Sequence, residues 1–587
     1  MHRILSLLLL CLAARAQRRE HMVVTGVWEP IPLEEADRSI RVVDVSSLRL
    51  VANTFADLLK LDASLDLRQR APNTIQGDLS IRGGTFGQTL VLLDGLRMND
   101  AQSGHHHLNL PVAIDSLASI EVLKGSGSAH YGSDAVGGVV NFRTRRPEAS
   151  ELRLRGGLGN FGVNQQSASL DWIRGPLSQQ VNVSRDFSTG FAPNRDYRNL
   201  SASAITYVST ALGWSNLTLA HADRPFGADR FYGNFNSWER TKTWFAGLRQ
   251  DLGSRTNASF GFRRHTDLFV LYRDRPQVFT NRHASESWQA ALRRREDWGG
   301  GMFQFHYGAE GYGDRIESNN LGRHSRARGA VYASLDTRAL RRFSFSAAVR
   351  DEVYGRFSHQ VSPSLAAGAW LGPNWKLRGS VSRAFRVPTF TDLYYQDPAN
   401  RGSPDLRPES AWSYEGGVDW NWRGELRAQA TVFQRRERDG IDYVRASPSD
   451  IWRAANIHRL QFTGVEAGVD WKRIQFQYTR LHGAQTALGG LQSKYVFNYP
   501  VHSGLAGWER LWPGGIATRI RIGAMERLGR DPYAVADFYA ARAAGSWRPF
   551  LQLTNFGGAV YEEIPGVAMP GRAIVGGVEY RVPLGTK

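Results

Sequence analysis

Residues 76–141 read QGDLSIRGGTFGQTLVLLDGLRMNDAQSGHHHLNLPVAIDSLASIEVLKGSGSAHYGSDAVGGVVN, and this stretch decides the fold. Short apolar runs alternate in it with turns rich in glycine, aspartate and serine. Each run has the length of a β-strand, and the turns between the runs are of the kind that end strands. The stretch therefore predicts a small mixed sheet with tight loops. The runs are Leu79 to Ile81, Leu90 to Leu93, Ile120 to Leu123 and Val136 to Val140.

Four phrases in this stretch resemble the plug domain of TonB-dependent outer-membrane receptors. They occur in the family's order and near the family's spacing, so the resemblance is specific. It implies a plug inside a β-barrel in a Gram-negative-type cell outer membrane. The phrases are IRG at Ile81 to Gly83, VLLDG at Val91 to Gly95, IEVLKG at Ile120 to Gly125 and YGSDAVGGVVN at Tyr131 to Asn141.

The composition excludes a helical membrane protein. Of the 587 residues 42% are apolar, yet after the first dozen no run approaches the roughly 18 apolar residues that a membrane helix needs. The net charge of +18 is dispersed along the chain without a basic helix or zinc-ligand spacing, so it does not indicate nucleic acid binding. It favours a lumen and rim rich in Arg and Lys that face anionic lipopolysaccharide or an anionic ligand.

The amino terminus reads as an export signal. A basic Arg3 precedes the apolar run from Ile4 to Leu12, and Ala14-Arg15-Ala16 provides a cleavage site, so residues 1–16 are predicted to be a signal peptide. The only cysteine, Cys11, lies in that run, so the predicted mature chain needs no disulfide. A lipoprotein with lipid on Cys11 is less favoured, because Leu10 stands where a small residue is expected.

Residues 17–42 are predicted to hold a partner-binding strand and a connector. A short extended run near a mature terminus is suited to adding a strand to a partner's sheet. The run resembles the family's Ton box, which implies binding to TonB; the alternative is a first strand of the plug itself. The plug is predicted over residues 43–148, with a strand and a short helix before residue 64. The residues of the predicted TonB-binding run are Glu20, His21, Met22, Val23, Val24, Thr25 and Gly26.

Residues 149–587 show strict alternation of apolar and polar residues. In WSYEGGVDWNW, Trp412 and Tyr414 fall on one face, and Glu415 and Asp419 on the other. An apolar face with aromatic ends and a charged opposite face are typical of a membrane barrel with a wet lumen. At roughly 20 residues per strand with its loop, the segment predicts about 22 antiparallel strands. The predicted fold class is an all-β outer-membrane barrel with an N-terminal α+β plug in its lumen.

A set of charges is predicted to hold the plug in the barrel. Arg82 and Lys124 each end a predicted plug strand, and Glu415 and Glu466 fall on the lumen face. The resemblance implies that plug cations pair with these two glutamates. Lys124 departs from the family's arginine and cannot form the bidentate fork of a guanidinium. The alternative is four unrelated, solvated lumen charges.

A second set of residues is predicted to contact the transported ligand. The plug loops between its strands face the extracellular cavity in proteins that resemble this one, and an aromatic run at residues 224–239 suits a large amphipathic solute. The three adjacent histidines could give two imidazoles to a metal from a loop, but without further ligands close in sequence no metal site is predicted. The candidates are Thr85, Phe86, Asn99, His105, His106, His107, Phe226, Tyr232 and Phe235.

Catalytic motifs find no match. The phrase GSGSAH at residues 125–130 imitates a phosphate loop but lacks its last glycine and its G-K-[ST], so neither an enzyme nor a cofactor is expected. The resemblance, closest to the cobalamin-receptor branch, implies a monomeric active transporter that TonB energises from the inner-membrane proton gradient. Its cargo would be a scarce large solute, cobalamin-like or a ferric siderophore. The alternatives are a passive porin or adhesin-type barrel, and a soluble β binding protein.

Overall fold

The computed structural model describes residues 22–23, 31–340, 342–356, 358–484 and 488–585. Within them the chain forms a closed antiparallel barrel of 22 strands with an N-terminal domain in its lumen, so the predicted fold class is confirmed. The predicted signal peptide and the predicted TonB-binding residues other than Met22 and Val23 lie outside the described residues. No helix in the described part of the chain is long and apolar enough to cross a membrane.

The plug contains a five-stranded mixed sheet and a separate two-stranded sheet. Across the larger sheet the strands run in the order Ile40–Asp44, Leu117–Lys124, Gly138–Thr144, Thr89–Leu93 and Leu96–Arg97. The third and fourth of these are parallel and the other neighbours antiparallel. The smaller sheet pairs Leu65–Arg68 with Asp78–Ile81, and a third pairs Met22–Val23 with Ile31–Pro32.

Short helices fill the space beside the plug sheet. The helix Phe55–Leu59 begins at Thr54, whose side chain accepts from the Asp57 N–H while the Asp57 carboxylate accepts from the Thr54 N–H. Its Leu58 and Leu59 are fully buried, as the predicted apolar side requires. The other α-helices of the described residues are Val45–Leu48, Ser128–Tyr131 and Phe390–Tyr394, and the 3-10 helices are Leu33–Glu35, Arg49–Val51, Phe86–Gln88, Gly104–His106 and Ile114–Ser116.

The barrel closes because its first strand pairs with both the second and the last. Two-residue strands at Asn400–Arg401 and Gln492–Ser493 add to its rim. The spanning strands are Glu151–Gly159, Asn164–Arg174, Leu177–Ser188, Tyr197–Thr210, Gly213–Asp229, Asn236–Leu252, Thr256–Val270, Thr280–Trp298, Phe303–Ser318, Gly322–Leu340, Phe343–Tyr354, Ser358–Trp370, Trp375–Arg386, Glu409–Trp422, Leu426–Arg445, Trp452–Trp471, Ile474–Ala484, Pro500–Leu511, Ile516–Arg527, Tyr533–Arg542, Trp547–Thr554 and Ala573–Pro583.

The connections define the orientation of the barrel. At one end, turns of a few residues such as Gly175-Pro176 join the strands, and at the other end loops reach the length of residues 387–408. In bacterial barrels the short turns are periplasmic and the longer loops extracellular. The plug turns Phe86–Gln88 and Gly104–His106 therefore lie toward the extracellular mouth, since they contact loops of that end.

The alternation places charges in the lumen and aromatic rings outside. Trp412 and Tyr414 are 41% and 42% exposed on the outer surface, whereas the carboxylates of Glu415 and Asp419 point inward and are buried. A lipid-facing surface has no partner for charge, so the acidic side chains of these strands face inward. The lumen wall is therefore a polar surface, and the plug must match it.

Gly138 tests how tightly the plug sheet is built. A Cβ at this position would overlap the Leu123 carbonyl oxygen of the neighbouring strand and lie 2.7 Å from Cδ1 of Ile81. We expect Gly138→Ala to destabilise the plug by about 1–3 kcal/mol, as overpacking does, and to raise the trypsin sensitivity of the plug in the purified protein. Gly156→Ala is the matched control, because a Cβ there meets nothing within 4 Å. Equal sensitivity of both variants would contradict this packing.

Candidate functional site at the plug and the extracellular mouth

Arg82 forms a buried ionic link between the plug and the barrel. Its Nη1 lies 2.8 Å from Oε2 of Glu415, and its Nε and Nη2 lie 2.8 and 2.9 Å from the two carboxylate oxygens of Glu466. The Arg82 side chain is 3% exposed and lies over the Phe433 ring at 4.2 Å. One guanidinium therefore binds two glutamates of the barrel wall. Its contact with Glu466 is bidentate, a geometry that lysine cannot supply.

Lys124 joins this cluster mainly through another carboxylate. Its Nζ lies 3.2 Å from Oδ1 of Asp62 and 3.8 Å from Oε2 of Glu466. Burial acts to raise the pKa of Asp62, but the charges of Lys124 and Arg41 outweigh it and hold that pKa below its ordinary value. The structure thus brings Arg82, Lys124 and both predicted glutamates together, and adds Asp62 as an acidic partner from the plug itself.

The cluster also contains groups that the sequence analysis missed. The Ser39 N–H donates to Oε1 of Glu415 at 3.1 Å, and Nη1 of Arg378 lies 3.7 Å from the same oxygen. Arg378 stands on the strand next to Glu415 and points to the lumen, so the alternation of that strand carried a signal. Ser39 lies in the segment interpreted as a connector, where no pattern marked it.

At the extracellular side the plug presents an aromatic surface. The rings of Phe86 and His105 stack with centroids 4.3 Å apart, and Nδ1 of His105 lies 2.6 Å from Oδ1 of Asp78. Tyr495 of an extracellular loop packs edge-on against Phe86 at 5.1 Å, and Tyr443 packs edge-on against Tyr495 at 6.2 Å. We call Phe86, His105, Tyr443 and Tyr495 the aromatic cup.

Five of the predicted ligand contacts are instead buried in the protein, among them His106, which is 4% exposed. Thr85 caps the turn Phe86–Gln88. Asn99 accepts from the Val91 N–H at 2.8 Å and donates to the Thr89 carbonyl at 3.1 Å. The polar atoms of Thr85 and Asn99 are therefore used within the plug loops, and these two residues do not line the aromatic cup. The exposed fractions are 6% for Thr85, 6% for Asn99, 5% for His107 and 3% for Phe226.

Tyr232 and Phe235 lie on the loop that closes the strand pair beside the plug. Tyr232 is 38% exposed, and its hydroxyl donates to Oε2 of Glu239 at 2.5 Å. Phe235 packs edge-on against Tyr272 at 5.6 Å. Both therefore reach the mouth, away from the aromatic cup.

An extracellular loop holds the plug through its backbone. In residues 387–408 the helix Phe390–Tyr394 begins at Thr389, and the N–H groups of Phe390 and Thr391 donate to the carbonyls of Ala101 and Gln102 at 2.9 and 3.0 Å. These plug residues lie just before the histidine turn Gly104–His106. The mouth loop and the plug loop therefore form one continuous surface.

Of the cup residues that the sequence did not predict, Tyr443 lies near the end of the strand Leu426–Arg445 and Tyr495 lies in a loop without a readable pattern. Lys494 lies over the rings of Tyr443 and Tyr495 at 5.4 and 5.3 Å. The run KYVFNYP around it is rich in aromatics, which was the only available signal. Its position against the plug depends on the loop conformation, which sequence alone does not specify.

The fold is that of an outer-membrane barrel with a plug in its lumen. The chain matches the family model described as TonB-dependent receptor-like β-barrel over residues 171–559 and the TonB-dependent receptor plug domain over residues 32–139. The chain therefore belongs to the TonB-dependent receptor family, and it is an outer-membrane protein of the vitamin B12 and siderophore receptor kind. Members of this family are transporters and receptors rather than enzymes.

Similar proteins include receptors of both kinds. The chain is 23% identical over 460 residues to a vitamin B12 transporter BtuB of Vibrio vulnificus, covering 73% of this chain and 72% of the relative. It is 24% identical over 551 residues to an iron-regulated outer membrane virulence protein of Vibrio cholerae, covering 82% and 81%. A mutant ferric enterobactin receptor PfeA of Pseudomonas aeruginosa shares the fold with a TM-score of 0.77 at 14% identity, covering 96% of this chain and 100% of that one.

Arg82 is the residue whose loss should loosen the plug most. Arg82→Ala leaves Glu415 and Glu466 without their shared partner in a buried site, which we expect to cost about 3–5 kcal/mol and to lower the urea midpoint of plug release, measured by protease sensitivity. Arg82→Lys keeps the positive charge but loses the bidentate geometry, so its urea midpoint should lie between those of the wild type and Arg82→Ala. In the exposed pair Arg323–Glu317, Arg323→Ala should change stability by only about 0–1 kcal/mol. A midpoint unmoved by Arg82→Ala would refute the assignment.

Proposed function

We propose that this protein takes up a cobalamin-like solute across the outer membrane by a TonB-energised movement of its plug. The observation that carries the proposal is the plug itself, which fills a closed barrel and is held by the buried fork of Arg82 on Glu415 and Glu466. A plug held in this way stands in the path of a large solute. Passage requires work on the plug, which a passive porin cannot supply.

The predicted TonB-binding strand is where that work would enter. Met22–Val23 pairs antiparallel with Ile31–Pro32, and Ile31 packs with Leu33 in a cluster that includes plug-sheet residues. The strand edge is therefore paired within the chain. Binding of solute at the mouth would shift the plug toward a state in which Met22–Val23 is free, and TonB would then add to it through backbone hydrogen bonds.

The aromatic cup supports a large amphipathic solute. Phe86 and Tyr495 are partly exposed and offer apolar ring surface, Tyr443 packs behind them, and His105 adds a polar edge that is fixed by Asp78. Sites for such ligands combine aromatic walls with a few oriented polar groups. A bulky, weakly charged solute such as cobalamin fits this chemistry, and the name of the Vibrio vulnificus relative agrees with it.

A ferric siderophore is the second candidate, and Lys494 favours it. Its ammonium group lies over Tyr443 and Tyr495 at the cup, where it would attract an anionic ligand. The iron-regulated relative of Vibrio cholerae is consistent with this alternative. The two candidates differ in charge, so the contribution of Lys494 separates them.

Val23→Pro tests the energy coupling. Proline removes the backbone N–H that a strand needs, so uptake into cells that contain TonB should fall to background while binding by the purified receptor stays unchanged. Val23→Ile, which keeps the N–H and the β-branched side chain, is the matched control. Uptake that survives Val23→Pro at the wild-type rate would contradict TonB coupling and favour a passive barrel.

Lys494→Gln tests the class of solute. In a binding panel of cobalamin and ferric siderophores on the purified protein, we expect cobalamin to bind and Lys494→Gln to leave its Kd unchanged. If the cargo is an anionic ferric siderophore, the same change should weaken binding by roughly 5- to 10-fold, the range of a partly desolvated cation contact. If the wild-type protein binds neither cobalamin nor a ferric siderophore, both candidates are contradicted.

A further inference from the structure

A buried cluster of metal-ligating side chains lies where the histidine turn of the plug meets the barrel wall. His106 of the plug and Glu239 and Asp267 of the barrel each offer one ligand atom, and these atoms lie within 4.8 Å of one another. All three residues are more than nine-tenths buried. We propose that this cluster binds one divalent transition-metal ion of the Zn²⁺ type, which links the plug to the barrel.

The barrel presents the ligands on neighbouring strands. Glu239 lies on Asn236–Leu252 and Asp267 on the adjacent Thr256–Val270, where Glu239 pairs with Phe269, two residues from Asp267. Diagonal neighbours of this kind share one face of a sheet. His283 stands directly opposite Asp267 on the third strand, Thr280–Trp298. The two carboxylates of the wall thus meet His106 of the plug, and His283 stands on the strand next to Asp267.

The described part of the cluster contains no arginine or lysine side chain. The nearby Asp100 has its own partner, since Nη1 of Arg263 lies 2.6 Å from its Oδ2. Among the residues that the structure describes, neither Glu239 nor Asp267 has an arginine or lysine at ion-pairing distance, and Asp267 has only Nε2 of His106 at 3.5 Å. Two buried carboxylates with one imidazole and no arginine or lysine between them are costly to bury, and a divalent ion would neutralise both.

Unpartnered polar atoms in the cluster are a second sign of a missing ligand. Oδ1 of Asp267 and Nδ1 of His283 are buried and have no hydrogen-bond partner within the described chain. Both residues are 6% exposed. Lone pairs on a carboxylate and an imidazole are what Zn²⁺ binds, and three or four such ligands match its usual coordination number.

Two plug amides orient the carboxylates. Nε2 of Gln102 donates to Oδ2 of Asp267 at 2.8 Å, and Nε2 of Gln76 donates to Oε1 and Oε2 of Glu239 at 2.8 and 2.7 Å. Gln76 holds a positive φ of 42°, which is unusual for a residue with a side chain. Hydrogen bonds of this kind fix metal ligands in other sites, and here they come from the same domain as His106.

The side chain of Tyr232 lies between the cluster and the extracellular mouth. The hydroxyl of the partly exposed Tyr232 donates to Glu239, so a rotation of this residue would open a path from the mouth to the carboxylate. An ion that entered there would be held by the plug on one side and by the barrel strands on the other. It would therefore clasp the histidine turn to the wall.

The test uses the full-length protein in detergent, stripped with a chelator and titrated with Zn²⁺ alone by calorimetry and metal analysis. We expect about one bound ion per chain, and Glu239→Gln and Asp267→Asn to weaken its affinity by at least ~10-fold, because even outer-shell partners matter by that much. Zn²⁺ should also protect the wild-type plug from trypsin without protecting the variants. His359→Ala is the matched control, since His359 and Asp351 form an exposed His–carboxylate pair at 3.0 Å without a third ligand.

The proposal is overturned if the wild-type protein binds no Zn²⁺, if both cluster variants bind it as tightly as wild type, or if His359→Ala alone abolishes binding. Should the cluster variants fail to fold, the electron paramagnetic resonance spectrum of Cu²⁺ in the wild-type protein decides. Imidazole-nitrogen hyperfine coupling that is present in the wild-type protein and lost in His106→Gln supports the site, and a spectrum that His106→Gln leaves unchanged refutes it. No TonB or transported solute enters these measurements, so they do not depend on the function proposed above.

Discussion

The rest of this structure depends on one constraint, that a backbone in lipid must satisfy its own hydrogen bonds. A sheet meets this condition only when it has no edge, and here the pairing of Glu151–Gly159 with Ala573–Pro583 removes the edge. A barrel of 22 strands is too wide for its own side chains to fill. The lumen must therefore be either an open channel or the container of a separate domain, and this chain provides the domain.

Because the wall alternates, the plug meets a polar surface. The contacts between them are correspondingly ionic: Arg82 with Glu415 and Glu466, Arg527 with Asp66, and Arg49 with Glu579. Buried pairs of this kind add little net stability, since desolvation offsets the attraction, but they specify geometry strongly. Water can replace such contacts one at a time. A plug that moves as proposed above is better held by such contacts than by an apolar interface.

The sequence predicted the wall better than the mouth. Alternation alone placed Glu415 in the lumen, because a strand leaves only two directions for a side chain. It could not show that Lys124 turns to Asp62, because Asp62 lies in a turn whose path is set by tertiary contacts. Thr85 and Asn99 were predicted to contact the ligand, yet the loops use their polar atoms to cap a turn and to bridge backbone groups. Polar loop residues read the same in sequence whether they serve the backbone or a ligand.

The histidine turn shows why adjacent identical residues acquire different surroundings. In a 3-10 helix successive side chains point about 120° apart, so Gly104–His106 and the following His107 aim three imidazoles in different directions. His105 reaches the aromatic cup, His106 reaches Asp267 of the wall, and His107 turns inward, where burial lowers its pKa to about 4. The surface that would receive a solute and the contact that holds the plug to the wall are thus one residue apart. A movement of the backbone of this short turn would therefore act on His105 and His106 together.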